Sequence, residues 1–115
     1  MKNIEDIKLS VKDFKAIEEF SKRIKDKLES SLIEIRLFGS KARGKSMPDS
    51  DIDILIITKE TNEKIKDIIF DITVDVNLIY DVVICPIIIA HKTYTDPLAN
   101  QTNFYRAVRE EGLTL

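Results

Sequence analysis

Two short clusters in this 115-residue sequence have the residue types of phosphate chemistry: Gly39-Ser40 and, after ten intervening residues, Asp51-Ile52-Asp53. A glycine directly after an apolar run lets the backbone approach a phosphate closely, and the N–H groups that open the following helical turn favour an anion. Ser40 adds a hydroxyl donor. Asp51 and Asp53 are two apart on an expected strand, so both carboxylates leave the same face, about 6 to 7 Å apart along the chain. Unshielded, such a pair repels by roughly 3 kcal/mol at a separation of about 5 Å and an effective dielectric near 20, which calls for solvent or a bridging cation. Hard oxygen ligands of this kind select Mg²⁺ or Mn²⁺, with triphosphate oxygens completing the shell.

A pair of ions that clamps both the attacking and the leaving oxygen of an in-line displacement needs a third carboxylate. Asp81, at the start of a β-branched run and directly after a helical one, is the preferred candidate over Asp49, Asp71 and Asp75. Lys41, Arg43 and Lys45 lie between the two clusters and could neutralise a triphosphate; Arg43 is favoured, while the lysines read as solvated charges. His91 and Cys85 read as structural or incidental. Tyr94, Phe104 and Tyr105 could mark an interaction surface, although apolar residues on a short terminal helix usually dock on the core. Taken singly, Gly39-Ser40 could merely end a strand and cap a helix, and the aspartates could line a solvated strand. The joint spacing favours a site.

The elements that must position these residues follow from periodicity. Phe14, Ile17, Phe20, Ile24 and Leu28 recur at helical spacing between Val11 and Ser30, opposite a charged face. Leu32 to Phe38 and Asp51 to Thr58 read as strands, and residues 41–50, with Gly44 and Pro48, as one helical turn and a loop. Ile65, Ile68, Ile69, Ile72, Val76 and Ile79 predict a second long helix over Asn62 to Ile79. Asp81 to Ala90 reads as a buried strand in which Pro86 forces an edge or a bulge. Asp96-Pro97 is a helix start and Gly112 a C-terminal cap, with Phe104, Tyr105 and Val108 between them. The order predicts one α/β (α+β) domain over residues 1–115, a small sheet covered by helices.

Composition excludes several classes. Eighteen Lys and Arg against 20 Asp and Glu give a net charge of −2, so no global basic field supports extended nucleic-acid binding. One cysteine permits neither an internal disulfide nor a thiolate metal cluster and suits a cytoplasmic chain. The longest apolar stretch, Val82 to Ala90, is far short of the roughly 20 residues that span a bilayer.

The segment Leu37-Phe38-Gly39-Ser40-Lys41-Ala42-Arg43-Gly44, followed by Asp49-Ser50-Asp51-Ile52-Asp53, resembles the signature of the DNA polymerase β-type nucleotidyltransferases, and most closely their smallest branch, the minimal nucleotidyltransferases. The resemblance is strong over residues 32–58 and weaker elsewhere. It implies a small mixed sheet flanked by helices, nucleotide phosphates on Gly39 and Ser40, two Mg²⁺ ions on Asp51, Asp53 and a later aspartate such as Asp81, and ATP or another nucleoside triphosphate as substrate. Members of that branch often serve as antitoxins that transfer AMP to a tyrosine of a HEPN-type toxin, so a protein partner is implied too, and an oligomer is compatible with the sequence. Two alternatives remain open at this point. One is an antitoxin that binds nucleotide but acts by occlusion, the other a transferase for a small molecule or an RNA 3′ end.

Overall fold

The computed structural model describes residues 9–43 and 50–115, with Arg43 described through its backbone alone. Helix α1 (Val11–Leu28) opens on Ser10, whose side chain accepts from the Asp13 N–H, and buries Ala16, Ile17, Phe20, Ile24 and Leu28, the face that the spacing predicts. It ends two residues before the predicted Ser30, because Glu29 turns to φ 48°, ψ −122° and the chain makes one tight turn into β1 (Leu32–Phe38). That backbone conformation suits glycine and strains any residue with a Cβ by about 1–3 kcal/mol. Glu29→Gly is therefore expected to raise the melting temperature by a few degrees, the relief of strain exceeding the added chain entropy of about 1 kcal/mol, as read in a thermal melt.

After β1 come the short helix α2 (Gly39–Arg43), strand β2 (Ile52–Thr58) and the long helix α3 (Glu63–Tyr80), which Asn62 caps by accepting from the Ile65 N–H. Strand β3 (Ile84–Ala90) runs straight into one helical turn, α4 (His91–Tyr94). Sequence periodicity misses that turn, four residues being too few to show a period. Asp96 does not start the last helix. Its carboxylate instead accepts from the Leu98 and Ala99 N–H groups in a turn, and α5 (Asn103–Glu111) begins after Thr102. Gly112 closes α5, and β4 (Leu113–Thr114) follows.

The four strands form one mixed sheet in the order β3-β2-β1-β4, antiparallel except for the parallel β2–β3 pair that α3 connects. Alternation along β2 divides the interior. Ile52, Ile54 and Ile56 join Ile35, Leu37, Ile84 and Leu113 in the main core beneath α1 and α3. Leu55 and Ile57 face a second, smaller core with Phe38, Ile87, Ile89, Tyr94 and Val108. Strand β2 is central and covered on both faces, which explains its unbroken Ile and Leu run.

Strand β3 is an open edge, as Pro86 predicts. The Ile52 N–H donates to the Val83 carbonyl, so in this parallel pair the backbone groups of Ile84, Pro86 and Ile88 point away from β2. Asn77 takes the place of a missing neighbour: its side chain accepts from the Ile84 N–H at 2.8 Å and donates to the Ile84 carbonyl at 3.4 Å. Pro86 brings no N–H to the edge at all. No described helix is long and apolar enough to cross a membrane.

Candidate active site

Strand β1 delivers Phe38 and then Gly39, whose φ of +77° is one that residues with a Cβ adopt at a cost of about 1–2 kcal/mol. The same glycine solves a packing problem. A Cβ there would stand 2.5 Å from Oδ2 of Asp53, so the carboxylate rests directly on the Gly39 backbone. The antiparallel pairing brings this about, since Phe38 lies opposite Asp53 and the chain turns into α2 at the next residue. Gly39, Ser40 and Asp53, apart in sequence, thus meet at one end of the sheet, Ser40 half-buried beside them.

Asp51 joins this group as the exposed residue just before β2. Asp53 is half-buried, and burial first, then the charge of Asp51, raises its pKa above the ordinary 3.8. The two carboxylates therefore act on each other electrically, as their spacing predicts. Hard oxygens under mutual repulsion are a donor set that fits one Mg²⁺ or Mn²⁺ ion.

Asp81 does not join them. The strand predicted to open at Asp81 starts three residues later. Asp81 instead closes α3 in the left-handed conformation, φ 53° and ψ 53°, its N–H donating to the Asn77 carbonyl. It is exposed, and its own carbonyl accepts from Lys12 Nζ at 3.1 Å. Among the described residues no three His, Cys, Asp or Glu side chains converge to hold an ion, so the expected third carboxylate is missing from the set. Aspartate is one of the few residues with a Cβ that enters this conformation readily, which accounts for its presence at the helix end. Asp71 and Asp75 are exposed on α3, and Asp75 lies 3.7 Å from Arg23 of α1.

The position level with Asp53 on β3 belongs to Cys85. Burial first, then the neighbouring Asp51 carboxylate and the charge of Asp53, push the pKa of its thiol up. Cys85 thus keeps its proton beside the pair. Sequence reasoning passed over it because the β2–β3 register depends on strand order, which local patterns do not reveal.

Lys41 also departs from expectation. It is 2% exposed and pairs with Asp13, 3% exposed, through Nζ to Oδ2 at 2.6 Å, tying α2 to α1. A signal for this existed. Asp13 falls on the apolar stripe with Ala16, Ile17 and Phe20, where a carboxylate requires a buried cation. The Arg43 side chain, Lys45 and Asp49 lie outside the described residues.

With this geometry in view, comparison with known proteins places the chain. The family model for the nucleotidyltransferase domain matches residues 17–108. A candidate protein adenylyltransferase of Methanocaldococcus jannaschii is 37% identical over 101 residues, 88% of this chain and 95% of that one. A second of the same description and organism is 44% identical over 73 residues, 63% of this chain and 74% of its own. Among solved structures, the spectinomycin adenyltransferase AAD(9) from Enterococcus faecialis, with ATP and spectinomycin, superposes with a TM-score of 0.61 at 23% identity, over 71% of this chain and only 36% of that one. A toxin-antitoxin complex with AMP-PNP gives a TM-score of 0.56 at 20% identity, over 84% of this chain and 70% of the matched one. A form of the toxin-antitoxin MntA-HpeT gives 0.54 at 20% identity, over 94% and 72%.

Proposed function

Since this chain belongs to the nucleotidyltransferase domain family, we propose that it transfers AMP from ATP to a hydroxyl of a protein, and that the acceptor is a tyrosine of a HEPN-type toxin held in check by this modification. The observation that carries the reading is the Asp53 carboxylate seated on the backbone of Gly39, with Asp51 beside it. That contact puts acidic oxygens next to a glycine-serine turn suited to phosphate. The relatives described as protein adenylyltransferases support the choice of AMP and of a protein acceptor. The toxin-antitoxin structures of similar fold support the setting.

The reaction forms a bond from the acceptor oxygen to the α-phosphorus and breaks the bond from that phosphorus to the oxygen bridging to the β-phosphate. Pyrophosphate leaves and the acceptor proton passes to solvent. Asp51 and Asp53 would hold a Mg²⁺ ion, which when bound draws negative charge from the triphosphate and makes the phosphorus a better electrophile. Gly39 and Ser40 receive the outer phosphates, and Arg43 adds positive charge. Cys85, level with Asp53 on β3, offers the pair a neighbouring thiol proton.

The test uses the purified chain, Mg²⁺, ATP labelled at the α-phosphate, and a HEPN-type toxin chain as acceptor. Label and the mass of one AMP residue are expected on a tyrosine of the acceptor, with release of pyrophosphate. One rival is a nucleotide-binding antitoxin that acts by occlusion: among the described residues Asp51 and Asp53 are joined by no third carboxylate. Formation of a tight complex without any mass gain would decide for that rival.

A further inference from the structure

Four aromatic rings stand beside the acidic pair, on the same face of the sheet, and the chemistry derived above gives them no task. Phe38 lies directly opposite Asp53 in the β1–β2 pairing, and opposed side chains on adjacent strands are about 4.5–5.5 Å apart at Cβ. Phe104 of α5 meets Phe38 edge to face, with centroids 5.6 Å apart and planes at 89°. Tyr105 meets Phe104 at 5.3 Å and 83°, and Tyr94 lies 5.7 Å from Tyr105. Arg36 Nη1 donates to the Tyr94 hydroxyl at 3.4 Å and anchors the far end.

Burial separates these rings by role. Phe38 and Tyr94 pack against the second core, as Val108 of α5 does at 0% exposure, whereas Phe104 keeps 38% of its surface open. Helix α5 also packs on α2, the helix that starts with Gly39-Ser40. The open ring is therefore one ring contact from Phe38, the residue opposite Asp53, on a helix that packs against the one opened by Gly39-Ser40.

We propose that Phe104, braced by Phe38 and Tyr105, is the platform on which the base of the bound nucleoside triphosphate stacks. The proposal rests on the nucleotide-site reading and extends it to the other end of the ligand. A triphosphate fixed at Gly39-Ser40 and Asp51-Asp53 leaves the base to find an apolar surface nearby, and the open ring, in contact with Phe38 opposite Asp53, offers one. Edge-to-face neighbours hold the ring before the ligand arrives, so little side-chain freedom is lost on binding. Every base has a π-face, so the platform accepts all four and favours the larger purines.

The test compares binding of ATP, UTP and inorganic tripolyphosphate, each with Mg²⁺, to the full chain and to its Phe104→Ala and Phe104→Tyr variants by calorimetry. Phe104→Ala is expected to weaken ATP about tenfold, UTP less, and tripolyphosphate not at all, while Phe104→Tyr stays near the parent value. Equal weakening of ATP and tripolyphosphate would overturn the proposal, since the ring would then merely shape the cleft, and unchanged ATP binding would overturn it as well. Failure of the parent chain to bind either ATP or tripolyphosphate would instead bring down the nucleotide-site reading itself. The chain has no tryptophan, so Phe104→Trp supplies a single indole that can be excited apart from the three tyrosines. Its fluorescence should be quenched by ATP and not by tripolyphosphate. Constant emission under saturating ATP would overturn the stacking role even if the alanine variant fails to fold.

Discussion

Asp53→Asn is expected to lower AMP transfer by about 10³-fold, the scale on which loss of one pre-placed electrostatic group acts on a transition state, with the fold unchanged. The amide keeps the shape of the carboxylate above Gly39 but removes its charge, so a divalent ion held there would lose one of its two anionic ligands. Stability should move the other way. The pKa of Asp53 is raised from 3.8 by burial and by Asp51, so the folded state binds the proton more tightly than the unfolded state does. Stability of the metal-free parent therefore falls as pH rises from about the unfolded value through the raised folded value, and it stays lower above that window. The asparagine variant lacks this term. In chelator at neutral pH it should be more stable by about 0.5 kcal/mol, a modest figure because solvent screens the half-exposed pair, and the advantage should vanish in acid. Parallel transfer assays and thermal melts across pH would check both halves. Full transfer activity in the variant would remove Asp53 from the reaction.

Gly39→Ala should be the second severe change, through two separable effects. A positive φ of 77° costs an alanine about 1–2 kcal/mol, which a denaturant titration reads directly. The new methyl would also meet Asp53 Oδ2 at 2.5 Å, and because that atom ends a flexible side chain the carboxylate swings away rather than the strand. Displacement by about 1 Å is enough to lower a rate by roughly 10²-fold. The expected result is thus a protein that is still folded at 25 °C yet at least 10²-fold less active, with weakened divalent-ion binding. A variant that loses stability but transfers AMP normally would show that the contact between Gly39 and Asp53 has no part in the chemistry.

Much of this arrangement was legible in the residues themselves. The periods of α1, β1, β2 and α3 are long enough to register, and the glycine-serine turn and paired aspartates need only short-range spacing. What stayed hidden depends on how elements lie against one another. Asp81 looked like the first residue of a strand because Val82 and Val83 continue the β-branched run, yet the helix extends to Tyr80 and uses Asp81 to stop. Cys85 reaches the site only because β3 lies parallel to β2 with Asp53 opposite it. Lys41 looked solvated because nothing near it in sequence predicts Asp13, 28 positions away, as its partner. The aromatic group likewise combines β1, α4 and α5, three elements with no local signal of contact.

The amide of Asn77 and the ring of Pro86 have a consequence for how copies of this protein behave in a crowd. A row of isoleucines on a free sheet margin is a template for runaway stacking, each molecule zipping onto the last. Here the first rung is already taken by the protein's own side chain and the next lacks a donor, so of the three outward-facing rungs only that of Ile88 is left whole for a foreign strand. The apolar border is thereby blunted as a template for stacking, at the cost of one amide and one proline.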